Sequence, residues 1–250
     1  MNGPQIQMSV PLTKSVKALI IANVAIWVLF VLILQGLVLH NTVIFDYFAL
    51  VPARVITQFW AWQIFTYMFL HASGVFHVLF NMLVLWWFGS ELETRWGQRF
   101  FLTYYFVCGV GAGLIYLVGT FAYAFLSGQV ATLETPLVGA SGATYGLLLA
   151  YGILFGEREI YFMMLFPMKA KYFTMIIGFV ELVTLLDSGM GSQTANLAHL
   201  GGIVVGFLYL SWVTRRRQSA SGVPKRGRRL KLVVNNEKSE RPGGGPKYWN

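Results

Sequence analysis

Long apolar runs separated by short polar segments make up most of this 250-residue chain. A helix that crosses the roughly 30 Å hydrocarbon core of a bilayer needs about 20 predominantly apolar residues. Six segments meet or approach this length, with approximate bounds 16–39, 64–89, 100–126, 141–155, 172–186 and 195–213. The pattern therefore predicts an all-α, polytopic membrane protein built as a bundle of six transmembrane helices.

The composition agrees with one membrane core and two polar ends. The chain is 56% hydrophobic and 12% charged, whereas a soluble domain carries about 25% charged residues. We expect a short cytoplasmic N-terminus over residues 1–15, a six-helix core over 16–214 and a basic cytoplasmic tail over 215–250. The tail is rich in glycine, proline and charge, a composition that favours disorder.

Basic residues are distributed unevenly along the chain. Eleven of the nineteen Lys and Arg residues follow residue 214, where they would determine topology and contact lipid headgroups. No nucleic-acid recognition fold accompanies this charge, so nucleic-acid binding is not expected. The loops after the second and fourth segments are also basic, which places both termini in the cytoplasm and fits an even number of spans.

The fourth segment is too short to cross the bilayer at 1.5 Å per residue. Its start should therefore lie below the outer surface, where a helix end is tolerated only inside protein or beside a wet cavity. This places Ser141 at a recessed site that opens outward. The long first loop, residues 41–63, should form an interfacial structure in the outer leaflet.

Two reactive polar residues, Ser141 and His199, lie in these apolar, glycine-rich segments. Burying them in hydrocarbon is costly without partners, and a serine with a histidine is the minimal nucleophile and base. Gly139 and Gly142 flank the serine and allow close backbone approach, while Tyr145 shares its helix face. Taken singly, the serine could be a helix cap. The histidine could be a structural hydrogen-bonder, a proton relay or a metal ligand.

A second polar pair, His77 and Asn81, lies in the second segment at a spacing of four residues, on one helix face. Both side chains can donate hydrogen bonds to a developing negative charge, or they could simply bond neighbouring helices. A metal site is disfavoured, because no second histidine is near His199 and Cys108, the single cysteine, is distant in sequence.

These motifs together resemble the rhomboid family of intramembrane serine proteases. The motifs are Gly-x-Ser-Gly with a tyrosine four residues after the serine, His-x-x-x-Asn, and Ala-His-x-x-Gly-x-x-x-Gly, in the second, fourth and sixth segments. The resemblance covers about residues 15–215. Gly-x-Ser-Gly alone is a weak signal, because soluble hydrolases use related turns, but the combination is specific.

The resemblance implies a role for each matching position. Ser141 would be the nucleophile and His199 its general base, in a dyad without a carboxylate. Tyr145 would stack against His199. The oxyanion hole would consist of His77, Asn81 and the backbone N–H of Ser141, and Gly202 would allow the fourth and sixth helices to approach closely. No cofactor is implied.

Other positions receive structural roles or none. The resemblance gives Glu93, Arg95 and His71 structural roles. Many members have Trp-Arg before the second helix where this chain has Trp62-Gln63, which puts the network anchored by that arginine in doubt; whether Arg54 replaces it stays open. Glu181, in the fifth segment, receives no assignment.

The implied function is an endopeptidase that cleaves single-span membrane proteins near the outer end of their span. Substrates should have helix-destabilising residues near that end of the span and a small residue at the cleavage site. They should approach beside the fifth helix, where residues 187–193 would act as a mobile cap. The small size of the tail and the lack of a presequence or a seventh helix suggest that the protein lies in a prokaryotic cytoplasmic membrane. One alternative is a non-catalytic membrane chaperone or dislocation factor of the same fold. Another is a transporter, which fits less well because it needs a continuous polar path, whereas the polar groups here sit toward one side of the membrane.

Overall fold

The computed structural model describes residues 11–162, 166–188 and 194–220. The predicted cap beyond Ser188, residues 189–193, and the predicted disorder of the tail beyond Ala220 lie outside the described residues. Residues 215–220, assigned above to the tail, continue the last helix.

Nearly all of the described chain is helical. The helices are α1 (Lys14–Leu39), α2 (Val43–Phe48), α3 (Pro52–Thr57), α4 (Gln63–Thr66), α5 (Val75–Trp96), α6 (Gln98–Ser127), α7 (Ser141–Leu154), α8 (Ala170–Ser188) and α9 (Thr194–Ala220), with short 3₁₀ turns at Tyr67–Phe69 and Val130–Glu134. Two strands, β1 (Glu159–Phe162) and β2 (Phe166–Lys169), pair antiparallel between α7 and α8. The all-α membrane-bundle prediction is confirmed.

Four helices in the described ranges are long and apolar enough to cross a bilayer, namely α1, α5, α6 and α9. The apolar α7 has 14 residues and α8 has 19, so the count of six spans stays a prediction. The second predicted span was wrong at its start, because α5 begins at Val75 rather than near residue 64. The intervening stretch contains α4, a 3₁₀ turn and the non-helical residues 70–74.

Helix α7 lies at the centre of the bundle, in contact with α5, α6, α8 and α9. Small residues let it pack closely, and a Cβ added to Gly142 would lie 2.6 Å from the Ala112 Cβ on α6. Buried tyrosine hydroxyls tie the helices together. Tyr104 donates to the Gly146 carbonyl at 2.9 Å and Tyr67 to the Gly109 carbonyl at 2.6 Å. These bonds satisfy polar groups that hydrocarbon would leave unpaired.

The start of α1 is fastened to the end of α5 by Glu93. Its carboxylate accepts hydrogen bonds from the backbone N–H groups of Ser15 and Val16, at 3.0 and 3.1 Å, and from the Thr13 hydroxyl. A carboxylate at a helix N-terminus satisfies free donors and interacts favourably with the helix dipole. Glu93 therefore makes the structural contacts expected of it.

The hairpin between α7 and α8 differs from the basic loop that the sequence predicts here. Glu159 pairs with Lys169 in its register. The Glu157 carboxylate accepts hydrogen bonds from Lys169, at 2.7 Å, and from Lys171. These bonds lower the pKa of Glu157 to about 2. Two strands of four residues give too short a signal to read from sequence.

The first loop folds around Gln63, which is fully buried. Its side-chain carbonyl accepts from the Val51 N–H at 3.0 Å, and its amide donates to the carbonyls of Asp46 and Tyr47 at 2.9 and 3.3 Å. Arg54 instead lies over the Trp60 ring, 5.5 Å from its centroid. The question left open by the missing arginine is thereby resolved, since Gln63 itself holds the loop.

We expect Gln63→Ala to destabilise the protein by about 3 kcal/mol, because it removes three hydrogen bonds of a buried side chain and leaves the buried Val51 N–H unpaired. Arg54→Ala, which removes a half-buried cation–π contact with Trp60, should cost below about 1 kcal/mol. Thermal unfolding in detergent micelles would measure both. Equal stability of the two variants would contradict the role given to Gln63.

Candidate active site

The turn into α7 is built by Gly139, which adopts φ +120°, a conformation that residues with a Cβ rarely take. Its N–H donates to the Tyr67 carbonyl at 3.0 Å. A Cβ here would also lie 2.9 Å from His77 Nε2. Gly139 therefore both makes the turn and leaves room for the His77 ring, and Ser141 follows as the first residue of α7.

Helices α7 and α9 meet where Gly142 faces Gly202. A Cβ on Gly202 would overlap the Gly142 carbonyl oxygen, so only glycine fits. This approach brings His199 Nε2 to 2.8 Å from Ser141 Oγ, although the two residues are 58 positions apart. A nucleophile and a base within hydrogen-bond distance form the arrangement that activates a serine.

Tyr145 and Glu181 also contact the His199 ring. The Tyr145 ring stacks on the imidazole, with centroids 4.2 Å apart and an interplanar angle of 8°. The Tyr145 hydroxyl donates a hydrogen bond to Glu181 Oε1. Glu181 Oε2 lies 3.0 Å from His199 Nδ1. The two atoms do not meet the geometry of a hydrogen bond, so the contact is close but poorly aligned.

His77 presents one nitrogen toward Ser141. Its Nδ1 accepts a hydrogen bond from the Ala72 N–H at 3.2 Å. An accepting nitrogen carries no proton, so the neutral ring carries its proton on Nε2. That nitrogen is the one beside Gly139, and it is available as a donor next to the serine.

Asn81 lies one turn further along α5 and is 6% exposed. Its Nδ2 donates one hydrogen bond to the His77 carbonyl at 2.9 Å, which leaves the second N–H of the amide free to donate. His71, also buried, accepts a long contact of 3.5 Å from the Ala140 N–H. Its ring meets that of His77 edge-on, with centroids 5.2 Å apart. This agrees with a structural role for His71.

These side chains line one cavity of about 360 Å³. Its polar end holds Ser141, His199, Tyr145, His77 and Asn81, and its apolar wall comes from α5 and α8 and includes Phe76, Phe80, Phe173 and Ile177. Within the described ranges, no cluster of three or more His, Cys, Asp or Glu side chains could hold a metal ion. The polar side chains that line the cavity include a serine, a histidine and hydrogen-bond donors.

The structure brings together every residue that the sequence singled out for this site. Those residues are Ser141, His199, His77, Asn81, Tyr145, Gly139, Gly142 and Gly202. Sequence reasoning missed the contact of Glu181 with two of them. The available signal was an acidic residue inside an apolar helix, a position that marks function by default.

Residues 58–217, more than half of the chain, match the Rhomboid domain family. The chain belongs to the rhomboid family. It is 34% identical over 161 residues to RHOMBOID-like protein 1 of Arabidopsis thaliana, covering 64% of this chain and 36% of that protein. It is 30% identical over 165 residues to rhomboid protease GlpG of Serratia proteamaculans, covering 64% and 50%.

Rhomboid-like protein 19 of Arabidopsis thaliana is 30% identical over 176 residues, covering 69% of this chain and 55% of that protein. The chain thus spans about half, or less, of the length of the curated relatives it matches. Family membership and the apolar helices make this rhomboid an integral membrane protein.

The fit between α7 and α9 can be tested with one methyl group. Gly202→Ala should destabilise this rhomboid by at least about 2 kcal/mol, because its Cβ would meet backbone that cannot move aside. Gly178→Ala is the control, since its Cβ would make an ordinary contact 3.6 Å from Ile203 Cδ1. The control should be neutral or up to about 1 kcal/mol more stable, because alanine favours helix.

Thermal unfolding of both variants in micelles provides the comparison. A Gly202→Ala protein as stable as the Gly178→Ala protein would contradict the close crossing of α7 and α9.

Proposed function

We propose that this rhomboid-family chain is a serine endopeptidase that cuts peptide bonds within the membrane. The observation that carries the proposal is the 2.8 Å contact between Ser141 Oγ and His199 Nε2 inside the cavity. Ser141 attacks the substrate carbonyl while His199 takes the hydroxyl proton and later returns it to the leaving amine. Water then hydrolyses the acyl-enzyme, and the reaction needs no cofactor.

The oxyanion of the tetrahedral intermediate would be held by three donors. They are His77 Nε2–H, the free N–H of the Asn81 amide and the backbone N–H of Ser141. The last belongs to the first turn of α7, whose N–H groups have no partner within the helix. Support comes from the Ala72 contact that leaves the His77 proton on Nε2.

Substrates would be single-span membrane proteins that approach between α5 and α8. The wall residues Phe80 and Phe173 come from these two helices and are apolar, as a lipid-embedded partner requires. Every backbone group of a spanning helix is bonded internally. A substrate must therefore unwind locally, which favours helix-destabilising residues near the cut and a small residue at it.

The proposed topology has both termini in the cytoplasm of a prokaryotic cell, and the site near the outer surface of the cytoplasmic membrane. Ser141 begins α7, whereas the hairpin with its lysines follows the end of that helix. Segments rich in Lys and Arg stay on the cytoplasmic side of the membrane.

Reaction of cysteines placed at each terminus with a membrane-impermeant reagent would test this topology. We expect no labelling in intact cells, and labelling of intact cells at either terminus would refute it.

We predict that the purified protein cleaves a tagged single-span substrate in proteoliposomes. Ser141→Ala and His199→Ala should each lower kcat by at least about 10³-fold, because they remove the nucleophile or its base. His77→Ala leaves that pair intact and should lower kcat by about 10²–10³-fold, as loss of one oxyanion donor does. Gel or mass-spectrometric analysis of the products measures each rate.

Ser127→Ala and His40→Ala are the matched controls, since both residues are exposed and neither lines the cavity. Both should cleave at the wild-type rate. Wild-type cleavage by the Ser141→Ala protein would refute the proposal. Substrate binding without cleavage, equal in wild type and Ser141→Ala, would instead support a non-catalytic membrane chaperone.

A further inference from the structure

Glu181 is an acidic side chain in the apolar helix α8, 13% exposed, and the proposed reaction does not yet use it. A carboxylate in such a position is costly unless it is paired. Both of its oxygens face the site. Oε1 accepts from the Tyr145 hydroxyl, and Oε2 lies 3.0 Å from His199 Nδ1.

We propose that Glu181 is the positioning residue of His199, so that the site is a Ser–His–Glu triad rather than a dyad. This inference rests on the proposed function. His199 can accept the Ser141 proton on Nε2 only when its own proton is on Nδ1. A carboxylate beside Nδ1 favours that tautomer and stabilises the imidazolium that forms when the proton arrives.

Tyr145 supports the same arrangement from α7. Its ring stacks on the imidazole, while its hydroxyl bonds the carboxylate. One side chain thus holds both the base and the group that orients it. The poor alignment at Nδ1 does not argue against this role, because catalytic hydrogen bonds are often poorly aligned before substrate binds.

Among the described residues around His199, Glu181 supplies the carboxylate that could orient the ring. In the described part of the chain, the titratable groups that face His199 are His77 from α5, Tyr145 from α7 and Glu181 from α8. Glu181 is the acidic one among them. Because α8 also forms the wall where substrate would approach, displacement of this helix would separate the carboxylate from the base.

The first test measures the tautomer of His199 directly and does not require an active enzyme. Nitrogen-15 NMR of histidine-labelled full-length protein in micelles reports the tautomer, and His199→Ala identifies the signal of His199. We expect the Nδ1–H tautomer in wild type and a large fraction of the Nε2–H tautomer in Glu181→Gln. In other serine proteases, changing the triad aspartate to asparagine produces the wrong tautomer.

The second test uses a small fluorophosphonate, which reaches Ser141 from water and does not need the route between α5 and α8. Glu181→Gln should slow labelling of Ser141 by at least about tenfold, and should lower kcat rather than raise KM for a membrane substrate. Glu181→Asp should recover part of the loss. Glu159→Gln, the same substitution on the exposed β1, is the control and should match wild type.

Tyr145→Phe provides a second variant if Glu181→Gln is unstable in thermal unfolding. It removes the hydroxyl that holds Oε1 but keeps the ring stacked on His199. Labelling should slow by about two- to tenfold, because one hydrogen bond is lost. An unchanged rate in Tyr145→Phe, with an unchanged His199 tautomer, would contradict the proposal.

Three outcomes separate the possibilities. An identical tautomer and labelling rate in wild type and Glu181→Gln would overturn the positioning role. Unchanged labelling with faster cleavage of membrane substrates would also overturn it, by showing that Glu181 only holds α8 closed. If wild type neither labels nor cleaves, yet the tautomer depends on Glu181, the proposed function fails and the positioning role stands.

Discussion

The site depends on one contact, the crossing of α7 and α9 at Gly142 and Gly202. No side chain larger than hydrogen fits at Gly202, because a Cβ would overlap the Gly142 carbonyl oxygen. That crossing sets the distance between Ser141 on one helix and His199 on the other. Helices in lipid lack a hydrophobic force that drives them together, so close packing at small residues has to supply the attraction.

Several polar side chains of this protein hold its segments together by hydrogen bonds to backbone groups. Gln63 bonds three backbone groups of the first loop, and Glu93 bonds the start of α1. Tyr104 and Tyr67 reach carbonyls on neighbouring helices. These bonds fix the scaffold and leave the donors of His77 and Asn81 directed at the cavity.

The sequence predicted the membrane bundle, and it singled out the residues that the fold brings together at the cavity, because both leave strong local signals. Apolar runs mark helices, and Ser141 and His199 are conspicuous in such runs. Three features escaped prediction. The start of α5 at Val75 depends on the non-helical residues 70–74, and the apolar residues on both sides of this break make the run look continuous in the sequence. The β1–β2 hairpin is too short for periodicity to reveal.

The third feature, the contact of Glu181 with His199 and Tyr145, joins α8 to two other helices. Sequence spacing relates positions within one helix and not across helices, so the carboxylate could be noticed but not placed. Gln63 is a second residue whose contacts could not be predicted from its position in the sequence. Only the folded loop shows that its amide reaches the backbone of residues 46, 47 and 51.

The proposed function requires His199 to activate Ser141 as a nucleophile. The most direct measurement is mass spectrometry of the full-length protein after reaction with a fluorophosphonate, which locates the modified residue. We expect modification at Ser141 in wild type and none in a folded His199→Ala protein. Modification at another residue, or modification of Ser141 that persists without His199, would contradict it.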